Sequence, residues 1–326
     1  MKALTNANPP DLKSAIALAQ QARQAGRAVA MAGGGSDLLG MMKDRLVTPD
    51  VLVNLKAIKG LDEIKTDGGR VTIGGLTTLD AIGRHPTIRQ RYTVLAEAAE
   101  GVATPQIRNV ATIAGNVCQR PWCWYFRNGF NCFKAGGNVC YSVSGENHFH
   151  AIFGGGPSFI VHPSDTAPAL VALGATFRIV GPAGERSVPA AEFFTLPATD
   201  AASENVLKAD EVLAAVTLPS QPPSTRSTYH KVMDREAWTH AVVSAAIVLD
   251  MNKDVCRSAR IVLGGVAPIP WRLAEVERLL EGQRITPALA ARAGEAAVAG
   301  ARPLAKNGYK VPLVKAMVKR TVESLA

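Results

Sequence analysis

The sequence predicts a mixed α+β protein of two domains, and three observations lead to this prediction. The chain has 326 residues, and each half is long enough to bury its own core without disulfides or metals. Helix and strand signals alternate through the first part of the chain. After a Pro- and Ser-rich run at 220–225, strand-like stretches precede helix-like ones, which is typical of a separate α+β unit.

The individual elements are short. Asp11 is a candidate cap for a helix that runs to Gln24, and Gly26 ends it. Further helices are predicted from Leu38, over 77–83 with Thr77 or Thr78 as candidate cap, over 167–173, and near 273–281, 287–299 and 311–325. Strands are predicted at 28–32, 51–55, 71–73, 109–113, 176–180, 212–218, 229–233, 241–250 and 259–266.

Charge and composition exclude several classes of protein. The formal net charge is +9, but acidic residues are interleaved with the basic ones and aromatic residues make up only 6%. Since no basic stripe with aromatic residues is present, we expect no nucleic-acid binding. We interpret the positive charge as favouring solubility or as complementing an acidic partner protein. No apolar run approaches the ~20 residues of a membrane helix, and residues 1–26 lack the apolar centre of an export signal.

Two glycine-bearing loops are candidate phosphate sites. Ala32-Gly33-Gly34-Gly35-Ser36-Asp37-Leu38 links a predicted strand to a predicted helix, where unpaired backbone N–H groups can bind an anion. Thr112-Ile113-Ala114-Gly115-Asn116 is a second such turn, with polar side chains at Thr112 and Asn116. Either loop alone could be a plain turn, and the first matches neither a P-loop nor the Rossmann fingerprint. Two such loops in one domain, able to approach a pyrophosphate from both sides, are more informative than either alone.

Four of the five cysteines are concentrated in a segment without regular periodicity. Cys118, Cys123, Cys132 and Cys140 follow the spacing C-x4-C-x8-C-x7-C, while Cys256 lies alone. The segment lacks the paired knuckles of structural zinc, whereas iron–sulfur clusters tolerate varied thiolate spacing. Iron–sulfur ligation is therefore favoured, with zinc or free thiols as alternatives. His148 or His150 could also be a ligand, or simply a hydrogen-bonded surface histidine.

Two charged residues farther along are weaker candidates. Asp165, in His-Pro-Ser-Asp, opens a predicted helix, so it or Ser164 could cap that helix or contact a ligand. Lys231 lies among apolar neighbours in a predicted strand, where it could meet an anionic flavin or phosphate or simply face solvent.

Four motifs in order give the sequence a family resemblance. They are Ala-Gly-Gly-Gly-Ser-Asp-Leu-Leu, Thr-Ile-Ala-Gly-Asn, His-Pro-Ser-Asp-Thr-Ala-Pro-Ala-Leu and Gly-Gly-Val-Ala-Pro, which begin at Ala32, Thr112, His162 and Gly264. Together they resemble the FAD-binding medium subunit of the molybdenum hydroxylases, the xanthine dehydrogenase and carbon monoxide dehydrogenase family. The Cys-bearing segment is similar to that of the aldehyde oxidoreductase branch, whose flavin subunit carries an additional 4Fe-4S cluster.

The resemblance implies a fold and a set of FAD contacts. The implied fold has a two-subdomain FAD-binding domain of the vanillyl-alcohol-oxidase (PCMH) type over 1–222, a Cys-rich insert at 118–157 and a C-terminal α+β domain over 223–326. The residues at 32–38 and 112–116 would hold the pyrophosphate. Asp165 would contact the ribose or adenine end of FAD, Leu213 would pack near the cofactor, and Lys231 would lie near the flavin ring.

The same resemblance implies cluster ligands, partners and a location. Cys123, Cys132 and Cys140 match ligand positions, but the fourth is Ser158 here. Cys118 is the expected substitute because a thiolate suits iron better than a hydroxyl; the alternatives are Ser158 itself, a histidine, water or a three-iron cluster. A large molybdenum-cofactor subunit and a small 2Fe-2S subunit are implied, with oxygen, quinone, ferredoxin or NAD as acceptor. The chain itself is expected to lack a catalytic residue. We expect a cytoplasmic location or, alternatively, export with a signal-bearing partner to the periplasm.

Overall fold

The computed structural model describes residues 2–236 and 239–326, which form three sheets and their covering helices. The strands are β1 Thr5–Ala7, β2 Val29–Ala32, β3 Val51–Asn54, β4 Ile64–Asp67, β5 Arg70–Gly74, β6 Thr176–Gly181, β7 Gly184–Pro189, β8 Val212–Leu218, β9 Thr225–Val232, β10 Val243–Asn252, β11 Val255–Gly264 and β12 Trp271–Arg272. The helices are α1 Leu12–Gln24, α2 Leu38–Lys43, α3 Leu79–Arg84, α4 Pro86–Arg91, α5 Thr93–Glu100, α6 Pro105–Arg108, α7 Ile113–Val117, α8 Trp124–Arg127, α9 Thr166–Ala172, α10 Ala190–Phe193, α11 Ala274–Leu280, α12 Pro287–Ala296 and α13 Lys310–Glu323.

The first sheet is small and parallel. Its order is β1-β3-β2, and α1 covers it. The predicted cap of α1 is confirmed, because the Asp11 carboxylate accepts a hydrogen bond of 2.7 Å from the Ser14 amide. Strand β1 has only three residues and two are polar, so its sequence carries no strand period. The first glycine loop leaves this sheet at the carboxyl end of β2.

The second sheet forms the core of the proposed FAD-binding region, which we call the FAD domain. It is antiparallel, in the order β4-β5-β8-β6-β7, and α3, α5 and α9 belong to the same buried apolar cluster. The predicted cap of α3 is also confirmed, because Thr78 Oγ1 accepts from the Ala81 amide. The sequence missed the exposed strands β4 and β7, whose outward residues are polar. These two strands form because they pair with neighbouring strands of the sheet, although their own sequences lack an apolar pattern.

The insert at 118–157 consists mainly of turns, as the absence of periodicity predicts. Its regular structure within the described chain is α8 and one 3-10 turn at Phe133–Ala135. Tyr125 packs edge-on against Phe130, with ring centroids 5.3 Å apart. Lys134 pairs with Glu204 at 3.1 Å, although the two side chains are only 1% and 4% exposed. Aromatic packing therefore orders the insert, and a buried ion pair joins it to Glu204, which precedes β8.

The third sheet, β12-β11-β10-β9, is antiparallel and carries α11, α12 and α13 on one face. Its other face meets α5 and α9 through Tyr229, Ala246 and Val262. The three predicted strands and three predicted helices of this region are confirmed, with ends shifted by a few residues. The α+β fold class is therefore confirmed. Among residues 2–236 and 239–326, every helix is too short or too polar to cross a bilayer.

Candidate functional site

The two glycine-bearing loops lie against each other. A Cβ at Gly34 would lie 1.9 Å from the Val110 carbonyl oxygen, and one at Gly33 would lie 3.1 Å from Thr112 Oγ1. Gly35 has a φ of +81°, which strongly favours glycine. Only residues without a Cβ allow this approach, so the run of three glycines brings the loop after β2 onto the residues before α7. The structure thus joins the two predicted loops into one site.

The second loop differs from its prediction in one respect. Residues 109–113 do not form a strand; Thr112 is the N-cap of α7, and its Oγ1 accepts a hydrogen bond of 3.2 Å from the Gly115 amide. The apolar run there is too short to decide between strand and helix, and the capping threonine decides it. Thr112 and Gly115 are therefore placed by one local interaction at the edge of the site.

Asn116 ties the second loop to the His-Pro-Ser-Asp segment. It is buried, and its Oδ1 accepts hydrogen bonds of 2.6 Å from both Ser164 Oγ and Thr166 Oγ1. Ser164 Oγ also accepts from the Ala167 amide at 3.0 Å, so Ser164 rather than Asp165 caps α9. The side-chain oxygen of Asn116 thus joins the second glycine-bearing loop to the His-Pro-Ser-Asp segment.

Asp165 and Lys231 form a buried ion pair. Lys231 Nζ lies 2.7 Å from Asp165 Oδ2, and each side chain is only 5% exposed. Tyr229 donates to the other carboxylate oxygen at 2.7 Å, and burial together with the Asp165 charge raises the tyrosine pKa well above its usual range. Side chains in direct contact face the same part of an extended cofactor. The structure thus places side by side the two residues for which the resemblance implied different parts of FAD.

The remaining residues proposed for FAD divide between the core and the loop surface. Ala32 is buried at the end of β2, Ser36 is exposed, and Leu38 begins α2 half-buried. Leu213 is 3% exposed in β8, and its carbonyl oxygen lies 2.3 Å from where a Cβ at Gly75 would be. Leu213 thus packs closely against the backbone at Gly75.

Asp37 makes contacts that no sequence pattern indicates. Arg127 Nη2 lies 2.8 Å from Asp37 Oδ1, and the Arg120 amide donates to Oδ2 at 3.3 Å. Both contacts come from the Cys-rich insert. The carboxylate that ends the first glycine loop is therefore bound by the insert.

The structure brings three of the four clustered cysteines together. Burial raises the pKa of Cys123, and the neighbouring Cys132 and Cys140 thiols raise it further. His150 Nε2 lies 3.4 Å from Cys123 Sγ, and His150 Nδ1 is buried without a partner. Cys118 instead packs against the core of the FAD domain, and burial alone raises its pKa to about 12. The structure thus does not join Cys118 to the other three.

The thiols are reduced, and their spacing does not suit one ion. All five cysteines are free. Across the described ranges, no three His, Cys, Asp or Glu side chains converge closely enough for a single metal ion. Ser158 is buried, and its carbonyl oxygen accepts from the Gly156 amide.

A cavity of about 510 Å³ joins the ion pair to the insert. Trp122 and Cys123 line it from the insert, Asp165 lines it from the FAD domain, and His240 lines it from the C-terminal region. The Trp122 and His240 rings lie 5.3 Å apart. Sequence reasoning missed His240, since a lone histidine beside a strand carries no motif.

A buried histidine beside the site gives a pH prediction. Burial lowers the pKa of His162 to about 3, while the Val117 carbonyl opposes the shift. Between pH 6.5 and 3 the unfolded chain binds the proton and the folded chain does not, so stability falls as pH decreases. The free energy of unfolding falls by about 1.4 kcal/mol for each pH unit below 6.5, so the loss reaches about 2 kcal/mol at pH 5.

Urea unfolding of the wild type and of His162→Asn between pH 8 and 5 measures this contribution. The substitution keeps a polar acceptor for the Ser164 amide, which donates to His162 Nδ1 at 3.3 Å. The variant should lose less stability on acidification than the wild type. Parallel pH curves for the two proteins would show that His162 is not the titrating group.

Comparison with known proteins defines the class. Residues 3–221 match the FAD binding domain in molybdopterin dehydrogenase, and residues 228–325 match the CO dehydrogenase flavoprotein C-terminal domain. The aldehyde oxidoreductase FAD-binding subunit PaoB of Escherichia coli is 35% identical over 288 residues, covering 86% of each chain. The carbon monoxide dehydrogenase medium chain of Hydrogenophaga pseudoflava is 27% identical, covering 97% of this chain and 94% of the relative.

A solved structure agrees with the sequence matches. Carbon monoxide dehydrogenase from Hydrogenophaga pseudoflava, in a form lacking the Mo-pyranopterin moiety, superposes with a TM-score of 0.78 over 99% of this chain and 97% of the other, at 26% identity. Fold and site define a flavoprotein subunit of an oxidoreductase. The chain belongs to the family of FAD-binding medium subunits of the molybdenum hydroxylases.

Proposed function

We propose that this chain is the FAD and iron–sulfur electron-transfer subunit of a molybdenum-dependent aldehyde oxidoreductase. One observation carries the proposal: the cavity beside the Asp165–Lys231 pair is lined by Cys123 of the insert, and Asn116 of the second glycine-bearing loop is hydrogen-bonded to the segment that carries Asp165. The 35% identity to the FAD-binding subunit of an aldehyde oxidoreductase supports the choice of aldehyde as substrate of the complex.

The residues at 33–38 and 112–115 are proposed to bind the pyrophosphate. Their backbones are held close together by Gly34 against Val110, which leaves N–H groups rather than side chains to face the phosphates. The flavin ring is proposed to lie in the cavity beside Asp165, with Lys231 holding that carboxylate in place. When bound, FAD supplies uptake of two electrons and their release singly or as a pair. The largely apolar cavity walls exclude water from the ring.

The insert is proposed to hold the 4Fe-4S cluster through Cys123, Cys132 and Cys140. Soft thiolates are the ligands that such clusters require. Cys118, the expected fourth ligand, is separated from them in the core of the FAD domain. The unpartnered nitrogen of His150, whose ring lies beside Cys123, makes His150 the better proposal for the fourth position. A four-iron cluster also spaces its ligands more widely than a single ion does.

The proposed complex contains two further subunits. A large subunit with the molybdenum cofactor would hydroxylate the substrate, and a small 2Fe-2S subunit would connect it to this chain. Two relatives are named as medium chains of carbon monoxide dehydrogenase, which supports assembly of this kind. The alternative is a flavin subunit of a nicotinate- or xanthine-type dehydrogenase, supported by 26% identity to a nicotinate dehydrogenase FAD-subunit of Eubacterium barkeri.

The complex assembled with its two partner subunits tests this function. An aldehyde substrate should bleach its flavin absorption, and the chain purified alone should not oxidise the aldehyde. Oxygen, a quinone, ferredoxin and NAD would then be compared as acceptors. Reduction of NAD by nicotinate or xanthine, without any response to aldehydes, would favour the alternative.

Replacing Cys123 by serine tests the cluster. We expect the wild type to contain about four irons and four sulfides per FAD, and Cys123→Ser to lose most of both. The control is Cys256→Ser, because Cys256 is buried in β11 away from the insert. Cys118→Ser should keep its iron, while His150→Ala should show an altered EPR signal of the reduced cluster. Zinc in place of iron, or full iron in Cys123→Ser, would contradict the cluster proposal.

A further inference from the structure

The insert holds the first glycine loop through one buried ion pair. Arg127, the last residue of α8, contacts Asp37 at 2.8 Å, and the two side chains are only 9% and 16% exposed. Asp37 ends the loop that begins at Gly33 and directly precedes α2. The two residues are 90 positions apart in the sequence, so this contact joins two separate parts of the molecule.

Arg127 is held in one orientation by its own segment. Its Nε donates to the Pro121 carbonyl oxygen at 2.8 Å, and its Nη2 donates to the Arg120 carbonyl oxygen at 2.9 Å. Its guanidinium carbon lies 4.3 Å from the centre of the Trp122 ring, a distance typical of a cation–π contact. A planar, multiply bonded guanidinium of this kind is rigid. Any movement of α8 is therefore transmitted to Asp37.

The charge of Asp37 explains why this contact matters. A carboxylate that ends a phosphate-binding loop repels a diphosphate, and the repulsion is strong because the carboxylate is largely shielded from water. Arg127 compensates that charge, and the Arg120 amide occupies the second carboxylate oxygen at 3.3 Å. Without Arg127 the loop would carry an unpaired negative charge toward the cofactor.

We infer that Arg127 is a positioning residue for FAD, and that its ion pair with Asp37 couples FAD binding to the order of the Cys-rich insert. The inference rests on the proposed FAD site at the glycine loops, but it needs no iron. Coupling between two binding or ordering events is reciprocal. FAD should therefore stabilise the insert, and a disordered insert should weaken FAD binding.

The test uses the full chain stripped of FAD and titrated with FAD, followed by flavin fluorescence and by hydrogen exchange of residues 120–135. Arg127→Gln should weaken FAD binding at least tenfold and abolish the FAD-induced protection of 120–135. Arg127→Lys, which keeps the charge but not the planar contacts, should recover part of the affinity. The control is Arg272→Gln, which breaks another arginine–carboxylate pair, with Glu277 of α11 at 2.7 Å, although Arg272 is more exposed than Arg127; it should leave both readouts unchanged.

A second variant separates charge compensation from simple loss of structure. Asp37→Asn combined with Arg127→Gln should bind FAD more tightly than Arg127→Gln alone, because the repelling carboxylate is gone. If Arg127→Gln does not fold, Asp37→Asn by itself should bind FAD without protecting the insert. If Arg127→Gln binds FAD with wild-type affinity and fully protects the insert, the inference is overturned. Where only Asp37→Asn folds, wild-type affinity together with full protection of the insert in that variant would overturn it. A wild-type chain that binds no FAD would instead refute the proposed function.

Discussion

Replacing Gly34 by alanine should reduce FAD affinity more than tenfold and destabilise the chain by about 1–3 kcal/mol, the usual cost of overpacking. The added Cβ would lie 1.9 Å from the Val110 carbonyl oxygen and 2.8 Å from its carbon. Both are backbone atoms, so no side-chain rotation relieves the clash. The loop must move away from Thr112, which separates the two groups of backbone donors proposed for the pyrophosphate.

Gly40→Ala is the matched control, six residues farther along the chain. A Cβ at Gly40, within α2, meets nothing within 4 Å, so this substitution should keep FAD and raise stability by about 0.5–1 kcal/mol. Flavin titration and urea unfolding of the two variants give both quantities. Equal FAD affinity in Gly34→Ala and Gly40→Ala would show that the close contact of the loops is not needed for binding.

Replacing Lys310 by methionine should cost about 3 kcal/mol of unfolding free energy. Lys310 is fully buried at the start of α13. Its Nζ donates to the carbonyl oxygens of Phe149, His150 and Gly265 at 3.0, 3.1 and 2.7 Å. Methionine fills a similar volume but removes this donor from all three oxygens. The His150 carbonyl oxygen keeps the Asn307 side chain as a donor, so two acceptors lose their partner, and each unsatisfied group costs about 1–3 kcal/mol.

One opposing effect limits this loss. Desolvation lowers the pKa of Lys310 to about 7, which shows that the buried ammonium is itself costly, and the methionine variant avoids that cost. Urea unfolding measures the difference. The control is Lys315→Met on the same helix, because Lys315 pairs with Glu295 at 2.5 Å near the surface and should lose less than about 1 kcal/mol. Equal losses in the two variants would contradict the role given to Lys310.

Lys310 also explains how the insert is attached to the rest of the molecule. Phe149 and His150 belong to the end of the insert, and Gly265 follows β11. Asn307 strengthens the same junction, since its side chain donates to the His150 carbonyl oxygen at 3.0 Å. The Cys-rich segment is thus held by Asp37 and Glu204 in the FAD domain and by α13 in the C-terminal domain.

Local features of the sequence were sufficient for most of the fold. Asp11 and Thr78 cap α1 and α3 as expected because a capping side chain bonds an amide only three residues away. Strand β10 carries a long apolar run, which its burial on both faces explains. The predicted strand at 109–113 is wrong because five residues cannot distinguish a strand from the start of a capped helix.

The sequence by itself determined the family, since four ordered motifs and the glycine run depend only on neighbouring residues. The tertiary structure alone decided which side chains meet. Lys231 and Asp165 are 66 positions apart, and Arg127 and Asp37 are 90 apart. It likewise placed Cys118 in the core of the FAD domain and His150 beside Cys123. The physical reason is that local sequence sets backbone conformation over a few residues, whereas the partner of a buried charge or thiol depends on how distant elements pack.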